Sequence, residues 1–163
     1  MSIQTIILIV VVLIFLIFFV TSGSSTPYDH FMKQKHHIFH LINKWTGEDV
    51  SGLLNGLLKP IDKPCIINNM PYNNNIESLD KLKTQNPNKF SALLQCGHIH
   101  NLFIVTALSV WEEFSIYHTE SSLNSYVADC IKPVLTSDVF LRGNMIYEKT
   151  RTGIQECLVN KQL

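Results

Sequence analysis

The chain has 163 residues, with thirteen Lys plus Arg balanced by thirteen Asp plus Glu, and 46% hydrophobic residues. Zero net charge excludes the basic excess that marks a nucleic-acid binder. Only 16% charge on so apolar a background excludes a disordered chain and points to a folded domain with a sizeable core.

The first element is Ile6–Val20, IILIVVVLIFLIFFV, apolar on every side. As a helix it is roughly 22 Å long, short of the bilayer core of about 30 Å. Counted from Ile3, with Gln4 and Thr5 tolerated, the run still falls short of the usual span. Its length and the small residues after it, Thr21-Ser22-Gly23-Ser24-Ser25, fit a signal peptide cut after Gly23. No Lys or Arg precedes the run, so a retained signal-anchor through residues 3–20 is the alternative. In that case Lys33 and Lys35, beyond its end, push weakly towards a cytosolic body. Residues 1–23 are therefore read as signal peptide or anchor, and residues 24–163 as one helical domain.

From Ser24 to Gly47 the sequence predicts a helix. Thr26 is a good N-cap, Pro27 fits the first turn, and Asp29 completes a capping box. Tyr28, Phe31, Met32, Ile38, Phe39, Ile42 and Trp45 form an apolar stripe, and Gly47 is a natural stop. A second helix over Glu48–Leu58 carries Val50, Leu53, Leu54, Leu57 and Leu58 on one face. Its Gly52 and Gly56, at GxxxG spacing, read as a thin face for close packing rather than a membrane dimer seam.

Residues 59–75 hold Pro60, Pro64, Pro71 and the Asn73–Asn75 run, and read as a long loop tied down by Cys65. Ile76, Leu79 and Leu82 mark a short helix with Asn75 as its cap. Asn86-Pro87 opens the central hydrophobic helix, running to about Tyr117, with Gly97 as a point of bending. A helix so apolar all round belongs at the centre of a domain. Glu120–Lys132 reads as a helix ended by Pro133. For Ser137–Leu163 a capped C-terminal helix is preferred over a hairpin of Val139–Leu141 and Met145–Tyr147, because an isolated two-stranded hairpin is marginal.

The four cysteines, Cys65, Cys96, Cys130 and Cys157, sit on four different elements with no CxxC pair. That spacing lacks the signature of structural zinc or a thioredoxin-like site. Past an export signal, thiols meet an oxidising compartment and pair. Two disulfides are expected; sequence leaves three connectivities open, with Cys65–Cys96 and Cys130–Cys157 preferred. The alternative is four buried thiols in a cytosolic domain.

The histidines are the only chemical cluster. His36 and His40, one helical turn apart, are the candidate metal pair, with His30 and His37 nearby. Lys33 between them and the lack of an accompanying Asp or Glu favour a solvated face instead. A face that gains charge below neutral pH is a middle reading. His98 and His100 project about 200° apart on a helix and share no ligand. Glu112-Glu113 are adjacent and do not face each other. No Gly-x-Ser-x-Gly and no Gly-rich phosphate loop occurs.

The expectation is an all-α, five- or six-helix, disulfide-linked bundle around a central hydrophobic helix. It is read as a secreted or membrane-tethered non-enzymatic binding module, with a protein or a small apolar ligand as partner. No catalytic residue, cofactor or nucleic acid is expected. The alternatives are a membrane-anchored structural subunit and a small secreted hydrolase.

Overall fold

A computed structural model describes residues 25–71, 76–115, 122–137, 140 and 147–161, with residues 7 and 10–12 of the leader; for 76, 77, 147–151 and 161 it describes the backbone alone. Every regular element among the described residues is helical, and two disulfides cross-link them.

Helix α1, Pro27–Thr46, begins on the expected capping box. The Thr26 amide donates to Asp29 Oδ2 at 2.9 Å and the Asp29 amide to Thr26 Oγ1 at 3.2 Å. These reciprocal bonds satisfy two donors that a helix start leaves open. Gly47 ends α1 in the left-handed region, φ 69°, where its amide returns to the Asn43 carbonyl at 3.0 Å. Phe31, Ile38, Phe39 and Ile42 are buried, so the apolar stripe faces the core. Helix α2, Ser51–Leu57, follows and buries Leu54. A Cβ at Gly52 or Gly56 meets nothing within 4 Å, so the thin packing face expected there is not used among the described residues.

The stretch 59–75 is not a continuous loop. Helix α3, Lys63–Asn69, occupies its middle. Asp62 caps it by accepting the Cys65 amide at 3.0 Å, and Pro64 lies in the first turn, where a missing N–H costs nothing. Burial of Ile66 then holds it on the core. Helix α4, Ile76–Gln85, and α5, Pro87–Gln95, come next; the proposed cap Asn75 lies outside the described residues. Asn86 caps α5 through the Lys89 amide at 3.3 Å.

The central helix is broken where the glycine stands. Gly97 has φ 77°, a conformation costly for any residue with a Cβ, and α5 meets α6, His98–Ser115, at a 77° bend. A Cβ at Gly97 would also sit 2.6 Å from Lys59 Cδ. Buried positions run round the whole circumference of α6, as expected for the central helix of a domain; its predicted continuation to Tyr117 lies outside the described residues.

Helix α7, Leu123–Tyr126, widens into a π-helical segment, Val127–Ile131, before α8, Lys132–Leu135. Pro133 therefore does not end the helix. The wider turn ahead of it supplies the extra residue that relieves the clash of a proline ring with the carbonyl four residues back. Tyr126 is fully buried and donates from Oη to the Ala107 carbonyl at 2.8 Å. Helix α9, Tyr147–Lys161, carries Ile154 and Leu158 into the core. Of the cap expected at Ser137-Asp138, Ser137 Oγ accepts the Phe140 amide at 3.3 Å; Asp138 and most of the hairpin alternative fall outside the described residues.

Helix α1 lies on α6, α3 on α1 and α5, and α9 on α4, α6 and the π segment. Cys65–Cys96 ties α3 to the C-terminal end of α5, and Cys130–Cys157 ties the π segment to α9. The bridges close stretches of 31 and 27 residues. Each contributes about 3–4 kcal/mol in the loop-closure model.

Among the described residues no single helix is long and apolar enough to cross a membrane. The bent α5–α6 pair passes by composition only as a pair, and its apolar side chains form much of the core. The described leader residues differ: Ile7, Val10, Val11 and Val12 are helical, yet each is 48–56% exposed.

Candidate functional site

The end of α1, the turn into α2, the end of α6 and the start of α7 surround an open groove of about 530 Å³. Trp45 and Leu53 stand in it, 47% and 40% exposed. Trp45 is at the end of the α1 stripe, but the stripe outlasts the surface it packs on. Its indole lies half in solvent, and its Nε1 donates to Glu112 Oε1 at 3.1 Å. This bond joins α1 to α6 across 67 positions of sequence. Glu112 is nearly buried, and a buried carboxylate needs such a donor.

Trp111 lines the same groove. Its Nε1 is buried and has no hydrogen-bond partner among the described residues, an uncommon state for a buried indole. Glu48 and Asn124 add polar walls, and neither Lys nor Arg lines the groove among the described residues. Sequence reading missed this site. Its two signals were a Trp two residues before a glycine stop and the Trp111-Glu112-Glu113 run at the end of a largely apolar helix.

Opposite in character is a smaller cleft of about 350 Å³ between α1 and α2. His36 and His40, the candidate metal pair, both line it and both are exposed. His30 and His37 are exposed on the same helix. Among the described residues no three His, Cys, Asp or Glu side chains come together as a metal set.

The other two described histidines serve the interior. His98 is 2% exposed, edge-on to Phe31 at 5.1 Å between ring centroids, and neither of its nitrogens has a partner among the described residues. Burial pushes its imidazole down to about 4, because the charged form loses its hydration. His100 Nε2 donates to the Leu57 carbonyl at 3.0 Å. Its pKa is lowered by burial, against that bond and with a contribution from Lys59. Beside it Asn101, fully buried, grips the backbone of Lys59 twice. Its Oδ1 accepts the amide at 2.8 Å and its Nδ2 donates to the carbonyl at 3.0 Å. Together these side chains fasten the entry to α3, on which Cys65 is carried. Glu113 points outward, so Glu112 and Glu113 form no acid–base pair.

No protein-family profile matches the chain, and no solved structure does. Two viral proteins do. Uncharacterized protein 325L of Invertebrate iridescent virus 6 is 28% identical over 108 residues, covering 66% of this chain and 62% of its own length. Uncharacterized protein 203L of the same virus is 53% identical over 164 residues, which span the whole of both chains. The chain belongs to the family of the iridescent-virus protein 203L.

Proposed function

We propose that this protein is a non-enzymatic helical interaction module, carried out of the reducing cytosol by its apolar leader and held at a membrane by it. The observation that carries the interaction reading is the half-exposed pair Trp45 and Leu53 in the groove. An indole with its N–H already satisfied is a rigid apolar anchor of the kind enriched at protein interfaces. The groove is open and mixed in polarity, which favours a partner's peptide segment over a small apolar ligand. Its charge is one-sided: Glu48 lines it, and Glu112 lies beneath Trp45 with a single side-chain donor described. The fitting segment pairs an apolar side chain with a Lys or Arg.

Two observations support the compartment. The described leader residues are too exposed to belong to the core, and every cysteine is oxidised. A cytosolic domain has little use for two such bridges.

Selection from a random peptide display library against the full chain tests the groove. Enrichment of peptides that join an apolar residue to a basic one, lost on Leu53→Ala at unchanged thermal stability and on Trp45→Ala read below its lowered unfolding temperature, is the expected result. No enrichment, or enrichment indifferent to Trp45→Ala and Leu53→Ala, overturns it.

A further inference from the structure

The α1–α2 cleft has a chemistry that neither the fold nor the groove uses. Its polar lining among the described residues is Lys35, His36, His40 and Asn43 from α1, with Ser51 and Asn55 from α2. Each of these side chains can donate a hydrogen bond, two are imidazoles and one is an ammonium, and no carboxylate is among them. Lys35 Nζ lies 5.4 Å from the centroid of Phe39, another wall of the cleft, so a cation–π contact holds the ammonium along this face. The amide of Asn43 is oriented as well. Its Oδ1 accepts the Val50 amide at 3.2 Å, which turns Nδ2 towards Ser51 Oγ at 3.5 Å. The nearest acid in sequence, Asp49, already accepts the Ser51 amide at 3.0 Å.

A divalent cation is poorly served here. Among the described residues the histidine pair has no third acidic or sulfur ligand, and an ammonium stands beside it. An oxyanion meets the opposite conditions: several hydrogen-bond donors, the Lys35 ammonium and, among the described residues, no carboxylate on the walls. The volume of about 350 Å³ exceeds that of a bare phosphate and lies within the range of small-ligand sites.

We infer that the cleft between α1 and α2 binds a phosphate or sulfate group carried on a larger molecule, with the Lys35 ammonium as its cationic contact and His36, His40, Asn43, Ser51 and Asn55 as hydrogen-bond donors. This site is independent of the groove reading, since it shares no lining residue with it.

The test is a titration of the full chain, solubilised in a zwitterionic detergent, with inorganic phosphate, followed by ¹H–¹⁵N NMR. In parallel, zinc chloride is titrated, and the protein micelles are doped with phosphatidylcholine alone or with phosphatidic acid added, the same signals being followed. Phosphate is expected to shift the imidazole signals of His36 and His40 and the amides of Ser51 and Asn55. The double change His36→Gln with His40→Gln weakens this binding about tenfold, the loss of one to two charge-assisted contacts. Both side chains are exposed, so thermal unfolding of the variant stays unchanged and separates lost binding from lost fold. A shift of these signals that phosphatidic acid produces, phosphatidylcholine does not, and the double change removes assigns the oxyanion to a lipid headgroup. Phosphate shifts without it assign a soluble ester, and both outcomes support the site. Zinc shifting these signals while phosphate does not, or phosphate binding untouched by the double change, overturns it.

Discussion

His98 is a point where acid acts on this fold. Its folded pKa of about 4 lies below the ordinary imidazole value near 6.5. Between those values the unfolded chain holds a proton that the folded chain does not. Stability contributed by the neutral ring is therefore complete above about pH 6.5 and falls as the pH drops towards 4, by roughly 3 kcal/mol in all. His100, lowered by burial in the same direction, adds to the slope. Urea denaturation at several pH values checks this: His98→Leu is expected to remove most of the loss between pH 6.5 and 4, and an unchanged slope contradicts the assignment. Asn101 makes a second prediction of this scale. Asn101→Ala strips both bonds from the part-buried Lys59 backbone and leaves a void where the fully buried Asn101 side chain stood, at a cost of about 1–3 kcal/mol. Equilibrium denaturation measures it, and a loss below a few tenths of a kcal/mol counts against the two-bond clamp.

At the scale of elements, the bend at Gly97 and the bridge beside it decide where α3 sits. Gly97→Ala forces a Cβ onto a backbone at φ 77° and against Lys59, which costs about 1–2 kcal/mol. The paired change Cys65→Ser with Cys96→Ser opens the 31-residue stretch and lowers stability by about 3–4 kcal/mol. It also speeds hydrogen exchange in Lys63–Asn69 more than in α6; equal acceleration in both denies that the bridge acts on α3. Much of this layer was legible beforehand. Thr26, Pro27 and Asp29 announced the start of α1, and Gly47 its end, because caps act locally and their chemistry is written in adjacent residues. Gly97 was visible as a bend for the same reason. What could not be read were elements that depend on neighbours far off in sequence. Helix α3 was hidden because Pro64 and the asparagines speak locally against helix, while Ile66 stabilises it only through the core. The π segment was hidden because Pro133 ordinarily stops a helix, and only a widened turn lets the chain continue. The groove was illegible for a related reason. Periodicity placed Trp45 on a buried stripe, and nothing local says that the body of the protein ends one turn short of it.

For the whole molecule, the proposed location rests on the apolar N-terminal run and the bridges. The described leader residues leave about half of each apolar side chain uncovered, whereas Phe31, Ile42, Leu54 and the α6 side chains are sealed inside. Apolar surface of that kind is stable in lipid or removed by cleavage, and it is a liability in water. The two disulfides complement it by pinning α3 to α5 and the C-terminal helix to the π segment, in a chain whose thiols are all consumed.

Alkylation of the protein recovered from its producing cells without reductant, followed by intact-mass analysis of the membrane and soluble fractions, tests this location most directly. The account predicts no alkylated cysteine and a chain that stays with the membrane with its leader attached. Four alkylated cysteines on a soluble cytosolic chain would contradict it.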